Sequence, residues 1–434
     1  MRVFAILLLY NFILPLIFLG ALPGYVLKII RRGNYGNAFG ERFGFYSKEK
    51  RQILLNLDNP LWIHAVSVGE VNIAKKLIFS IKRINPTIPI VLSTTTPTGA
   101  SIAHSSEASV IIYHPLDFLF VSTRVFDLIS PRALILTEAE VWPNLVNKSV
   151  KRGVEVSLIN ARLSQRSERR FKQFSFFTKP IFSLLSRVCV QQESDIKSWE
   201  SMGVSRHKVF LTGSIKFDSE GINEPNNVAA LKGLLNKLFG GKSKKVILAG
   251  STHLGEEALI GKAYLELRDQ FPDLYYLVAP RHVERRHDLV NELRNKGLNP
   301  VLRTELESQE TELLDSYDCL VIDTTGELNA WYYASDIVII GKSFLANGGQ
   351  NPVEAIFAKK PVLVGPNMQN FAALTSDLKA KGGVIQVEDE FELIERISEF
   401  LANPEIGVTL SQNANSALSL HKGASDRTAE LIIN

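Results

Sequence analysis

The sequence predicts an α/β protein: two Rossmann-like domains facing across a cleft, with an N-terminal membrane-anchor helix. Three observations predict it. Short apolar runs alternate with stretches of helical period, the signature of βαβ units and parallel sheets. The alternation breaks once, in a polar aperiodic stretch at 219–227, and then restarts. No charged residue occurs between positions 3 and 27. The expected layout is an anchor over 1–30, a first Rossmann-like domain over 31–220, a second over 221–404 and a helical tail over 405–434.

The anchor comes first. About 20 helical residues cross the hydrocarbon core of a bilayer, so the run is long enough. Pro15, Gly20, Pro23 and Gly24 interrupt it, which predicts a kink or partial entry. A cleaved signal peptide carries its positive charge in front and a small-residue site behind. Here Arg2 stands alone in front and Lys28, Arg31 and Arg32 come after the run. That asymmetry favours an anchor over an apolar helix docked on the protein, and places the two domains on the cytoplasmic side.

The first βαβ unit reads as a strand at 61–65, a turn at 67–70 and a helix at 71–84, with Ala74, Leu77, Ile78 and Ile81 on one helical face. Further strands read at 90–92, 110–112, 133–136, 156–159, 188–190 and 209–211. After the break they read at 246–249, 274–279, 320–322, 337–340 and 361–364.

Composition excludes several classes. Of 434 residues, 45% are hydrophobic and 22% charged, which is globular rather than disordered or polytopic. The net charge of +4 is too small for the basic stripe of a nucleic-acid binder. Cys189 and Cys319 lie singly in apolar strands, so they read as buried thiols rather than a disulfide or zinc site.

In open α/β sheets ligands bind beyond the carboxyl ends of the strands, and the polar residues collect there. The strand at 133–136 runs into Thr137-Glu138-Ala139-Glu140-Val141-Trp142-Pro143. The strand at 156–159 runs into Asn160-Ala161-Arg162-Leu163-Ser164. The second domain supplies Gly250-Ser251-Thr252-His253, Pro280-Arg281-His282 and Gly348-Gly349-Gln350-Asn351-Pro352-Val353-Glu354. Glycines at 348 and 349 permit close backbone approach. Pro352 suits a helix start whose free N–H groups attract a phosphate. Glu354 is then placed to accept from ribose hydroxyls. One acid before the Trp142-Pro143 helix start is explained by its dipole; two are harder to explain as packing. Glu41, in Gly40-Glu41-Arg42-Phe43-Gly44, reads from local physics as an ion pair with Arg42. Basic residues cluster at Arg162, Arg166, Arg169, Arg170 and Lys172, with Lys48, Lys50 and Arg51 nearer the anchor; beside a membrane they could meet anionic head groups.

Two apparent motifs fail. Gly240-Gly241-Lys242-Ser243 resembles the end of a P-loop, but Asn236 replaces the first glycine and a strand comes after it instead of before. Ala65-Val66-Ser67-Val68-Gly69 imitates a nucleophile elbow, yet sits after the first strong strand.

Taken jointly, these segments resemble the 3-deoxy-D-manno-oct-2-ulosonic acid (Kdo) transferases of lipopolysaccharide synthesis. The resemblance rests on Gly40–Gly44, Trp62–Glu70, Thr137–Asn144, Asn160–Ser164, Gly213–Asp218, Gly250–His253, Pro280–His282 and Gly349–Glu354, in that order. Gln350 stands where the family usually has His, and Lys342 where it has Gly. The resemblance implies a GT-B glycosyltransferase: a metal-independent, inverting enzyme without a cofactor. Its donor would be CMP-Kdo, bound mainly by the second domain, and its acceptor a lipid A precursor (lipid IVA) at the cytoplasmic face of the bacterial inner membrane. The residue matching Glu41 is the family's proposed general base, and the one matching Glu140 is essential beside it. Ser251, Arg281, His282, Gly349, Asn351 and Glu354 would bind the donor, and Ser67 and Arg162 the acceptor. The competing readings are a GT-B nucleotide-sugar epimerase, a membrane-bound α/β-hydrolase using Ser67, and a lipid-binding scaffold.

Overall fold

The computed structural model describes residues 2–32, 36–218, 224–306 and 316–434, with backbone alone for 25–32, 36–38 and 165. The chain forms two compact units, 1–218 with 420–434, and 219–419. Lys28, Arg31 and Arg32, which carry the expected sidedness of the anchor, lie outside the described side chains. Residues 219–223 of the expected linker lie outside the described residues.

The first unit is built on seven parallel strands: β1 (Leu61–Ala65), β2 (Ile90–Thr94), β3 (Val110–Tyr113), β4 (Ala133–Thr137), β5 (Glu155–Ala161), β6 (Arg187–Val190) and β7 (Val209–Leu211), in the spatial order 3-2-1-4-5-6-7. β1 pairs with β2 from Leu61↔Ile90 and with β4 from Leu61↔Ala133. Its strands are buried on both faces, which is why they read as continuous apolar runs. One face packs Trp62, Leu134, Leu158 and Trp199; the other packs Ile63, Leu77, Ile135 and Ile159.

The second unit repeats the plan with β8 (Lys245–Thr252), β9 (Leu274–Pro280), β10 (Pro300–Leu302), β11 (Cys319–Val321), β12 (Ile337–Ile340), β13 (Val362–Val364) and β14 (Ile385–Gln386), ordered 10-11-9-8-12-13-14. The sequence reading missed β10 and β14, edge strands of three and two residues, too short to show a period. Cys189 in β6 and Cys319 in β11 are buried free thiols, as expected.

Strand order reverses direction between β1 and β4 in the first sheet, and between β8 and β12 in the second. The crevice beyond the strand ends at such a switch point is where open α/β sheets hold ligands.

One expectation is revised. The tail expected over 405–434 divides. The helix Pro404–Leu418 stays with the second unit, where Asn415 donates to the Ile356 carbonyl at 2.8 Å. The helix Ala424–Ile433 returns to the first and lies on the helix Val68–Ile84, burying Ala424, Ala429 and Ile432. Asp218 fixes that return, accepting from the backbone N–H of Gly423 at 2.8 Å and Ser425 at 2.7 Å. The N-terminal apolar run is one helix, Arg2–Arg32, with Pro15 and Pro23 inside it. Proline removes one ladder hydrogen bond, and apolar surroundings offer the rest of the backbone no partner outside the helix.

That helix has two characters. Ile6 and Leu7 are buried against Ile181. The Tyr10 hydroxyl donates to Asp117 Oδ2 at 3.1 Å, and the Asn11 and Asn144 amides exchange hydrogen bonds at 2.8 and 2.9 Å. Its other face leaves Phe4, Leu8, Phe12, Leu16 and Ile17 exposed. The segment 2–24 is long and apolar enough to cross a membrane.

Candidate active site

At the first switch point the loop after β1 is shaped by a reciprocal cap. Ser67 Oγ accepts from the Glu70 N–H at 3.3 Å and donates to Glu70 Oε1 at 2.9 Å. The helix therefore begins at Val68, not after Glu70. Ser67, expected to bind the acceptor, uses its hydroxyl in this cap. The pattern Ser67-x-x-Glu70 is a capping-box signature and was readable as one. Glu70 is buried, and Oε2 also accepts from Val66 N at 2.9 Å and Thr137 Oγ1 at 2.6 Å. One carboxylate thus ties the end of β1 to the end of β4.

Glu138 and Glu140 come directly after β4. Burial raises the pKa of both above the ordinary carboxylate value. The Glu70 charge raises both further, and Glu138 adds to the rise of Glu140. Lys216 and Arg162 act in the opposite sense on Glu138. Arg162 is exposed at the end of β5. Lys216, exposed, has its pKa lowered by partial desolvation, with Glu138 opposing. It lay inside the Gly213–Asp218 segment without being singled out, because only the fold brings it to the carboxylates.

Glu41 closes the helix Gly36–Glu41 and is brought to the same edge of the sheet. Its side chain is 14% exposed. Oε1 accepts from Lys50 Nζ at 2.5 Å, and Oε2 from the Tyr113 N–H at the end of β3 at 3.0 Å. The ion pair expected with Arg42 is made with Lys50 instead, because the helix Lys48–Asn56 folds back past Glu41. Arg42 donates to the Thr95 carbonyl and lies over the Tyr113 ring. Thr95 Oγ1 donates to the Val66 carbonyl at 2.9 Å. A continuous set of contacts thus joins the Glu41 segment, the ends of β2 and β1, Glu70 and the end of β4.

Beneath this edge His64 and His114 stack at 3.5 Å between ring centroids, with Trp142 at 4.9 Å from His114. Burial holds both imidazoles neutral, lowering His64 to about 3 and His114 well below the ordinary value.

The second unit gathers the expected donor residues at its own switch point. The Tyr332 hydroxyl beside Ser251 is raised by burial and by the Glu354 charge, with Ser251 opposing. His253 and His282 meet edge to face at 5.6 Å. Arg281 is exposed at the end of β9, with its N–H on the Thr252 carbonyl at 2.9 Å. Gly349 has φ +69°, and a Cβ there would crowd Met368 Sδ at 2.4 Å and the Asn367 carbonyl at 3.1 Å, so the position favours glycine. Asn351 Oδ1 accepts from the Val353 N–H at 3.2 Å. The next helix, Val353–Phe357, has only five residues. Any phosphate there would rest on individual amides more than on an extended helix dipole.

The sequence reading missed Glu256, the organiser of this edge. Its buried carboxylate accepts from the N–H groups of Lys342 at 2.6 Å, Phe344 at 2.9 Å and His253 at 2.9 Å. It clamps the loop after β8 to the loop after β12. No local pattern announces a contact across 86 residues.

Four non-glycine residues at these strand ends hold a left-handed backbone: Glu138 (φ +56°), Asn160 (+50°), Ser251 (+57°) and Lys342 (+53°). Each costs about 1–3 kcal/mol. Such strain persists where surrounding contacts over-determine it, and both edges are held that way, by Glu70 and by Glu256.

Comparison with known proteins identifies the family. Residues 37–219 match the family model for 3-deoxy-D-manno-octulosonic-acid transferase (kdotransferase). The chain is 31% identical to the 3-deoxy-D-manno-octulosonic acid transferase of Bordetella pertussis, over 86% of each chain. It is 29% identical to that of Haemophilus influenzae, over 94% of this chain and 93% of the relative. In fold it is similar to the UDP-GlcNAc 2-epimerase of Neisseria meningitidis, with a TM-score of 0.57 and 16% identity, over 86% of this chain and all of that one. The epimerase shares the architecture; the sequence kinship lies with the transferases. The chain therefore belongs to the 3-deoxy-D-manno-octulosonic acid transferase family, as a glycosyltransferase of the two-unit GT-B fold.

Proposed function

We propose that the chain moves Kdo from CMP-Kdo to a glucosamine hydroxyl of a lipid A precursor at the cytoplasmic face of the bacterial inner membrane. The acceptor oxygen attacks the anomeric carbon of Kdo from the face opposite the nucleotide. The bond from that carbon to the CMP phosphate breaks, its electron pair leaves with the phosphate, and configuration inverts. Glu41 takes the hydroxyl proton as the new bond forms. Glu140 faces the positive charge that grows on the sugar. Arg281, Ser251 and the amides around Gly349 and Asn351 meet the negative charge gathering on the departing phosphate. His282 borders that site, and Glu354 holds the ribose. Arg162 and the Ser67 loop border the acceptor.

The observation that carries this reading is the placement of Glu41. A carboxylate on a short helix far from the sheet in sequence is held at the sheet's carboxyl edge by Lys50 and Tyr113 N. The membrane part rests on the exposed apolar face of the N-terminal helix and on the helices Gln165–Gln173 and Ser175–Phe182. These put the basic run Arg166, Arg169, Arg170 and Lys172 beside exposed Phe174 and Phe176. Cations beside aromatics suit a bilayer surface.

The test is the purified full chain with CMP-Kdo and lipid IVA, its products read by mass. A gain of one or more Kdo units with release of CMP, unchanged by EDTA, supports the reading. CMP-Kdo and lipid recovered intact overturn it.

A further inference from the structure

Resting on that reading of the acceptor as a lipid, we infer that the first unit carries a dedicated site for one acyl chain of the acceptor, in a cavity beside Glu140. The cavity, about 330 Å³, lies wholly within this unit. One wall is the inner side of the N-terminal helix, with Ile6 and Ile13. The opposite wall is the helix Ser175–Phe182, with Phe177 and Ile181. Ala139 and Val141, the residues on either side of Glu140, complete it.

Its chemistry selects hydrocarbon. Among the described lining residues only Tyr10 and Thr178 bring hydroxyls, and both are engaged elsewhere. Tyr10 donates to Asp117 at 3.1 Å, and Thr178 donates to the Phe171 carbonyl at 3.0 Å. A sugar or phosphate entering here would lose its water and gain no hydrogen bond. An apolar chain loses nothing, and each buried methylene contributes about 0.8 kcal/mol.

The position selects an acyl chain over a protein segment. The N-terminal helix that forms one wall has a bilayer-length apolar run and turns exposed Phe12 and Leu16 outward. A chain in the cavity therefore stays continuous with lipid on that helix's outer face. Ala139 and Val141 set the cavity next to the loop that carries Glu140, where the chain's polar end would lie. The cavity thus holds the acceptor in register with the carboxylates, and a variant that fills it should weaken acylated acceptor without touching the chemistry.

The experiment uses the full chain in nanodiscs of phosphatidylethanolamine and phosphatidylglycerol. Ile13 is part-exposed, so Ile13→Trp fills the cavity with little effect on the fold. Transfer is measured to lipid IVA and to the same disaccharide with its acyl chains removed. Expected is a rise in KM for lipid IVA of about tenfold, equivalent to about 1.4 kcal/mol, with KM for the deacylated acceptor and for CMP-Kdo unchanged. Equal effects on both acceptors, or none on either, overturn the site.

A readout independent of turnover is photolabelling by a glucosamine-phosphate lipid with a diazirine on its acyl chain. Expected are adducts in residues 171–182 that fall at least about fivefold, roughly 1 kcal/mol, in Ile13→Trp. Adducts confined to Phe4, Phe12 and Leu16, or a lipid-independent dimer abolished by Ile13→Trp, overturn it. A wild-type chain that transfers to neither acceptor contradicts the proposed function, while the labelling still judges the cavity.

Discussion

Glu41 and Lys50 are joined at 2.5 Å by an ion pair that also fixes where the carboxylate points, since its other oxygen is taken by the Tyr113 N–H. A base works only within reach of the proton it removes, and small displacements of a reacting group are expensive. Lys50→Met should lower kcat about tenfold with both KM values within about twofold, because the carboxylate remains but swings. Lys50→Arg should recover most of the loss. Initial rates with both substrates varied check this, and an unchanged kcat in Lys50→Met contradicts it.

The carboxylates after β4 give a pH prediction. Burial and the neighbouring acids raise Glu140, so it takes up its proton at a higher pH than an ordinary glutamate. Activity that needs its charge is present above that raised value and lost as pH falls through it. Glu138→Gln removes one source of the rise. The acid limb of the kcat/KM profile should then move to lower pH. A limb that stays in place, or moves up, contradicts the coupling.

The stacked histidines give a stability prediction. Buried His64 and His114 stay neutral in the fold, whereas both titrate near 6.5 in an unfolded chain. Their contribution is therefore complete above pH 6.5 and falls away below it, continuing toward about 3 for His64, as the unfolded state takes up protons that the folded state refuses. Each adds a slope of up to about 1.4 kcal/mol per pH unit. Arg42 bears on the same pair and lowers His114 further. His114→Phe keeps the stack against Trp142 and removes one titration. Its denaturation midpoint should depend less on pH between about 6.5 and 5. Equal slopes for variant and parent contradict this.

Lys342 holds φ +53°, in the region that favours glycine. Lys342→Gly should raise stability by about 1 kcal/mol by relieving that strain. It also removes a cation near His253 on the donor edge, so KM for CMP-Kdo should rise. Denaturant unfolding and donor kinetics separate the two effects; a destabilised variant contradicts the strain argument.

Much of the fold is legible in the residues alone. Apolar runs mark twelve of the fourteen strands among the described residues, since strands buried on both faces leave little ambiguity. The polar residues that matter lie at their carboxyl ends for the same topological reason. Hidden from the sequence is whatever depends on contact rather than period. Lys50 replaces Arg42 as the partner of Glu41 because a loop and a helix fold back. Lys216 and Glu256 act across long sequence separations. The division of the tail near residue 419 results from Asp218 capturing the backbone at 423–425. Ser67-x-x-Glu70 carries a visible helix start, although its run of polar and glycine residues reads first as a turn.

The central claim is that Glu41 takes the proton from the acceptor hydroxyl, and Glu41→Gln tests it most directly. The variant keeps the size of the side chain and its hydrogen bonding while removing the base. Transfer from CMP-Kdo to lipid IVA should fall by about 10²–10⁴-fold in kcat, with CMP binding unchanged. A Glu41→Gln chain that binds CMP and transfers Kdo at the parent rate would contradict the account.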